Sequence, residues 1–213
     1  MKETKVVKSE SNQLGYVIYE PEDGNFKDLP LLVFLHGAGE RGRGSEDWLE
    51  LVKKNALPKY IGEGKEIPAI VICPQCPLEY VWNTMVRELK DLIDKVAAQY
   101  EIPLKRVSIT GLSMGGYGTW EMALTYPETF NAFAPICGGG MSWRTPLLVK
   151  ENIWAFHGDK DGCVPPNNSI EMVDTLIRSG GNPRLTLFHN VDHNSWDDAF
   201  LNTTVIDWLL EKR

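Results

Sequence analysis

Residues 109–118 read ITGLSMGGYG. Within them Gly111-Leu112-Ser113-Met114-Gly115 forms a G-x-S-x-G pattern. The apolar run RVSITG (106–111) precedes it, and a segment able to stay helical until Pro127 follows. A strand that turns sharply into a helix lifts the residue at the turn above the sheet edge, and this pattern in that context puts a serine there. Gly111 and Gly115 relieve side-chain clashes around so tight a turn, and the helix N-terminus favours negative charge developing close by. A glycine-rich turn with Ser113 as a helix cap is the plainer alternative. A phosphate-binding loop fits poorly, because the G-x-G-x-x-G spacing and the P-loop lysine are missing.

Outward from this turn, short apolar runs alternate with longer amphipathic ones. GYVIYEP (15–21), PLLVFLHG (30–37), AIVICP (69–74), AFAPIC (132–137), NIWAFHG (152–158) and RLTLFHN (184–190) read as further strands. Runs that do not alternate suit strands buried on both faces of a mostly parallel sheet. In 84–100, Val86, Leu89, Ile93, Val96, Ala97 and Tyr100 recur at helical steps and form one apolar stripe. Further helices are expected from Ser113 to before Pro127, over 167–179 with Met172, Leu176 and Ile177 inward, over 198–211, and near 46–56. Strands and helices in this alternation predict a doubly wound α/β fold with helices on both faces. The segment between Cys137 and Asn152 is too short for a large cap domain, and residues 39–67 are the longest irregular stretch.

With 213 residues, 43% of them hydrophobic, the chain suits one domain over 1–213, with 1–12 as a flexible N-terminal segment. A net charge of -7 and no basic run argue against nucleic acid and anionic membranes as partners. No stretch approaches 18 apolar residues, and MKETKVVKSESNQLG lacks the apolar core of a signal peptide. The chain as it stands therefore points to the cytoplasm. Cys73 and Cys76 have C-x-x-C spacing, but a proline follows each and no second ligand pair exists, so they read as ordinary core or loop cysteines.

A serine hydroxyl needs a base within hydrogen-bond reach and a third group to orient that base. Where a serine stands on a strand-to-helix turn, acid and histidine follow it in that order along the chain. Four histidines occur, at 36, 157, 189 and 193. His36 precedes the serine and His157 precedes the best acid. His193, in VDHNSW after the last strand, is the expected base, with His189 as runner-up. In HGDKDGCVP (157–165), Asp161 is the expected acid because it lies further into the loop, while Asp159 suits a turn hydrogen bond. Asp192 adjoins His193 and would diverge from it, and Asp197 and Asp198 suit the start of the last helix. One oxyanion donor is expected from the Met114 N–H and the other from Ala38, with Gly39 as alternative, in His36-Gly37-Ala38-Gly39-Glu40. His36 would then fix that loop. Gly39, Trp82, Trp143 and Trp196 are candidate pocket residues, although packing is the default for any tryptophan; Trp120 reads as core.

LHGAGERG (35–42), ICPQCP (72–77), ITGLSMGGYGTW (109–120), HGDKDGCVP and VDHNSW together resemble small bacterial α/β-hydrolase esterases. The likeness covers roughly residues 14–211 and is to the phospholipase/carboxylesterase-like family, with feruloyl esterase and polyhydroxybutyrate-depolymerase-like relatives. It implies an α/β-hydrolase fold and carboxylesterase-type chemistry (EC 3.1.1.-). It also implies Ser113, Asp161 and His193 as catalytic residues, and Ala38 and Met114 as oxyanion donors. The substrate it implies is a short-chain or aromatic-acyl ester, with aromatic esters of plant cell walls as one natural class. The chemistry asks for no metal or organic cofactor. Relatives are often secreted, in contrast to the cytoplasmic expectation. Two rival readings remain: a peptidase of the prolyl-oligopeptidase type, and a non-catalytic binding protein on the same scaffold. No feature assigns an oligomeric state.

Overall fold

The computed structural model describes residues 1–8 and 13–211. Its unalternating apolar runs are the interior strands β3 (Leu31–Leu35), β4 (Ile70–Pro74), β5 (Val107–Leu112) and β6 (Ala132–Ile136), buried at every position. β2 (Tyr16–Glu20), β7 (Trp154–Gly158) and β8 (Arg184–Phe188) complete the expected set. An eighth strand, β1 (Lys2–Val6), was not expected. It replaces part of the flexible segment expected over 1–12; residues 9–12 lie outside the described residues. KETKV has no apolar pattern because β1 is an edge strand, and lysines on an edge discourage pairing with other chains.

The strand order is β1-β2-β4-β3-β5-β6-β7-β8. β1 pairs antiparallel with β2, and β2 with β4; all other pairs are parallel. This is the α/β-hydrolase fold, with no large cap inserted. The chain runs from β3 outward to β4 and then crosses back to β5, so the order reverses between β3 and β5. Loops leaving the carboxyl ends of strands at such a reversal frame a crevice. The loops at 36–40 and at Ser113 are those loops.

Two apolar layers cover the sheet. On one face pack α3 (Val86–Gln99), α4 (Met114–Thr125) and α5 (Asn167–Arg178). On the other pack α1 (Glu46–Leu49), α2 (Ala56–Gly62), α6 (Trp196–Asn202) and α7 (Val205–Leu210). The helix expected near 46–56 is thus two short helices joined by a 3-10 turn over Glu50–Lys53, with Asn55 extended. The helix expected over 198–211 is broken at Thr203, which is extended and whose Oγ1 accepts from the Val205 N–H at 3.1 Å. In α5, Met172 and Leu176 point inward as expected, but Ile177 is exposed. β8 is the other edge and only half-buried, unlike the interior strands. Among the described residues no helix is long and apolar enough to cross a membrane.

Candidate active site

Ser113 sits between β5 and α4 with φ 53° and ψ −116°, a conformation that side-chain-bearing residues rarely adopt. Such backbone costs of order 1–3 kcal/mol and persists only where its surroundings impose it. Here they do. The Ser113 N–H is held by the Ile136 carbonyl at 2.9 Å and faces the Cys137 Sγ at 3.2 Å, and the Ser113 carbonyl accepts from the Tyr117 N–H at 3.0 Å. The turn closes because Gly111 is bare: a Cβ there would lie 2.6 Å from the Gly115 carbonyl oxygen and 2.7 Å from Leu35 Cβ and O.

His193 arrives from the loop after β8. Its Nε2 lies 3.0 Å from Ser113 Oγ, and its Nδ1 lies 2.7 Å from Asp161 Oδ2. Asp161, in the loop after β7, accepts on Oδ1 from the Cys163 and Val164 N–H groups at 2.9 and 2.8 Å. Burial works to raise the Asp161 carboxyl, but the bonds from His193, Val164 and Cys163 outweigh it and hold the group below the usual carboxylate range. The two loops are laced into one unit. Asp159 N–H donates to Phe188 O, Lys160 N–H to Val191 O, and Gly162 N–H to Asp192 Oδ1. Asp192 also accepts from the His193 N–H at 2.8 Å, so it steadies the loop backbone. The Trp196 and His193 rings meet nearly at right angles, their centroids 5.6 Å apart.

His189 instead pairs on the surface with Asp159 at 2.9 Å, away from Ser113's partner. Asp159 also accepts from the Asn190 N–H. Cys137 lies beneath the turn, and burial pushes its thiol up to about 12 in spite of the Ser113 N–H it faces. Its Sγ, an Asp161 oxygen and a His193 nitrogen lie within 4.8 Å of one another, a set that could hold a soft metal ion only by taking apart the Asp161–His193 contact.

The loop after β3 is braced from behind. His36 is buried, donates from Nδ1 to Gly37 O at 2.6 Å, and accepts on Nε2 from the Cys76 N–H at 2.9 Å. Those partners fix one neutral tautomer, and burial lowers the imidazole to about 4. Arg41 Nε donates to Ala38 O at 3.0 Å, and Gln75 Nε2 to Glu40 O at 3.1 Å. Ala38 and Met114 are each the first residue of a helical turn, so their N–H groups have no intrahelical acceptor. Ala38 and Gly39 are exposed at the crevice mouth.

The expected pocket tryptophans separate. Trp196 stands against His193, but Trp82 is wholly buried and so cannot wall an open pocket; its Nε1 donates to His36 O at 3.0 Å and props the loop. Trp143 is 74% exposed on the 3-10 segment Ser142–Leu148. The neighbouring Arg144 pairs with Glu121, two turns down α4 from Ser113, which places that segment along the helix flank. Reading residues in order missed Cys137, His157 and the bracing role of Trp82, because their parts arise only from strand adjacency.

Residues 11–193 match the Esterase family model, described as "Putative esterase". Poly(3-hydroxyalkanoate) depolymerase C of Paucimonas lemoignei is 28% identical over 134 residues, covering 49% of this chain and 30% of that protein. A thermostable esterase of known structure superposes with a TM-score of 0.81 at 32% identity, over 97% of this chain and 62% of that one. A variant of the feruloyl esterase module of Clostridium thermocellum complexed with sinapinate shares the fold, with a TM-score of 0.73 at 15% identity over 98% and 86%. The chain thus spans less than two thirds of the depolymerase and of the thermostable esterase.

Proposed function

The chain belongs to the Esterase family, and we propose that it hydrolyses carboxylic esters through an acyl-enzyme formed on Ser113. One observation carries the proposal: a strained serine whose Oγ meets His193 Nε2 at 3.0 Å while Asp161 holds the opposite ring nitrogen at 2.7 Å. Ser113 Oγ attacks the ester carbonyl as His193 Nε2 takes its proton. Asp161 keeps the His193 proton on Nδ1 and stabilises the imidazolium. The Ala38 and Met114 N–H groups receive the tetrahedral oxyanion; removing one such donor has cost about 3 kcal/mol in a serine protease. His193 then protonates the leaving alcohol, the C–O bond breaks, and the same imidazole activates water to release the acid. Cys137, a buried thiol raised to about 12, is a poor rival nucleophile.

Gly39, exposed in the loop after β3, and Trp196, against His193, are proposed to contact the substrate. Short-chain and aromatic-acyl esters are the proposed class. Steady-state hydrolysis of p-nitrophenyl esters from acetate to long chains, with methyl ferulate beside them, tests this against Ser113→Ala. Activity on a short or aromatic member, lost in Ser113→Ala, is expected. Rates equal to that variant on every member would sink the proposal.

A further inference from the structure

His157, at the end of β7, has no part in the reaction just described, yet it lies directly against the acid. Its Nε2 is 3.2 Å from Asp161 Oδ2, the same oxygen that His193 uses. It is 2.9 Å from Val164 O, the carbonyl of the residue whose N–H binds Asp161 Oδ1. Its Nδ1 is 2.8 Å from Ser169 Oγ on α5, and that hydroxyl donates to Gly138 O beyond β6 at 3.0 Å. The ring is completely buried.

The neighbours determine its proton. A carbonyl and a carboxylate only accept, so Nε2 must carry hydrogen. The single Ser169 hydroxyl hydrogen goes to Gly138 O, so the contacts fix hydrogen on Nε2 and leave Nδ1 unassigned. Burial is the largest influence and lowers this imidazole, in keeping with the neutral form. The positive end of the Nε2–H dipole therefore faces both Val164 O and Asp161 Oδ2. The other titratable groups around the carboxylate are His193 from the loop after β8, Tyr117 from α4, Cys137 at the end of β6 and Cys163 in its own loop. The Tyr117 phenol and the Cys137 thiol are both raised by burial, so neither titrates across neutral pH.

We propose that His157 is a positioning residue for Asp161: a buried imidazole whose Nε2–H clamps the acid loop through Val164 and tempers the negative charge His193 feels. The inference rests on the acyl-enzyme reading of Ser113. Removing the dipole leaves the Asp161 charge less compensated, favours the imidazolium form of His193, and moves the acid limb of the rate profile to higher pH.

Ring nitrogen-15 NMR of the wild-type protein tests the ring state without turnover. His157 should keep hydrogen on Nε2 through the range where ordinary histidines titrate, about pH 5–8. An Nε2 without hydrogen in that range would overturn the proposal. Kinetics test the coupling. In His157→Phe, kcat for p-nitrophenyl acetate should fall about 10-fold with KM within about twofold. The acid limb of kcat/KM should rise by about half a pH unit. His157→Gln, whose amide N–H reaches the Nε2 position, should restore the limb. A limb unmoved in His157→Phe, whatever happens to the melting temperature, means packing alone and overturns the proposal. Should His157→Phe fail to fold, His157→Leu carries the comparison: it removes the same Nε2–H, should move the limb the same way, and an unmoved limb again overturns the proposal. Absence of ester hydrolysis in the wild type would refute the acyl-enzyme reading, while the NMR result still decides the state of His157.

Discussion

Gly111→Ala tests how tightly the turn at Ser113 is built. The new Cβ would stand 2.6 Å from Gly115 O and 2.7 Å from both Leu35 O and Leu35 Cβ. Ordinary contacts of such an atom begin at 3.4 Å, so each of these is about 0.7 Å too close, the scale on which overpacked cores shift their backbones. Two of the three obstacles are backbone oxygens, on β3 and in the first turn of α4, and neither can swing aside. Overpacking costs typically about 1–3 kcal/mol, and the rigid partners put this case near 3. For a chain of this length that is a fall in Tm of roughly 6–12 °C. The displaced atoms lie two residues from Ser113, and a shift approaching 1 Å at a reacting group can cost on the order of 100-fold in rate. Gly39→Ala is the control, because its new Cβ meets nothing within 4 Å. Thermal unfolding followed by circular dichroism, with p-nitrophenyl acetate kinetics, should show a large loss for the first variant and little change in Tm for the second. A Gly111→Ala protein melting within about 2 °C of wild type would refute the reasoning.

Two further outcomes follow from buried groups. The unfolded chain takes up a proton on His36 as pH falls through about 6.5, whereas the folded chain resists until about 4. Stability from His36 is therefore complete above the first value and lost as pH falls through the second, by up to about 3 kcal/mol. His157 contributes in the same direction. Urea unfolding at a series of pH values should show this slope, flattened in His36→Gln; an equal slope in that variant would count against the assignment. Of the four cysteines, Cys163 is exposed, while Cys73, Cys76 and Cys137 are buried free thiols. Burial pushes the Cys73 thiol up and Cys76 up to about 12. A disulfide reagent should therefore titrate one thiol in the native protein and all four in urea, and a second fast native thiol would contradict the packing.

Most of the sheet was legible because its interior strands carry long apolar runs, and runs such as LLVFL have no polar face to confuse the period. β1 was illegible for the complementary reason, since KETKV is an edge strand with no buried face to advertise. The break at Thr203 was hidden because threonine is tolerated inside helices as well as at their ends. The order of Ser113, Asp161 and His193 could be read along the chain, since spacing and turn residues mark all three. The supports could not. His157 and Asp161 are close in sequence, but the contact matters only because Val164, Ser169 and Gly138 converge on it from three elements. Trp82 reads as a pocket aromatic until its ring is seen beneath His36.

β8 carries a further consequence. It is half-buried and pairs only with β7, and the loop bearing His193 follows it directly. The loop bearing Asp161 is tied to the same strand and loop through Phe188 and Val191. Edge strands with few buried contacts are among the first segments to open in native-state fluctuations. When β8 detaches, His193 leaves Ser113 and the loop bearing Asp161 slackens, while β3, β5 and β6 remain packed. The hydrolysis proposed for Ser113 would thereby be coupled to a local opening rather than to melting of the whole molecule, and amide exchange in 184–193 would track the lifetime of the Ser113–His193 contact more closely than any global midpoint.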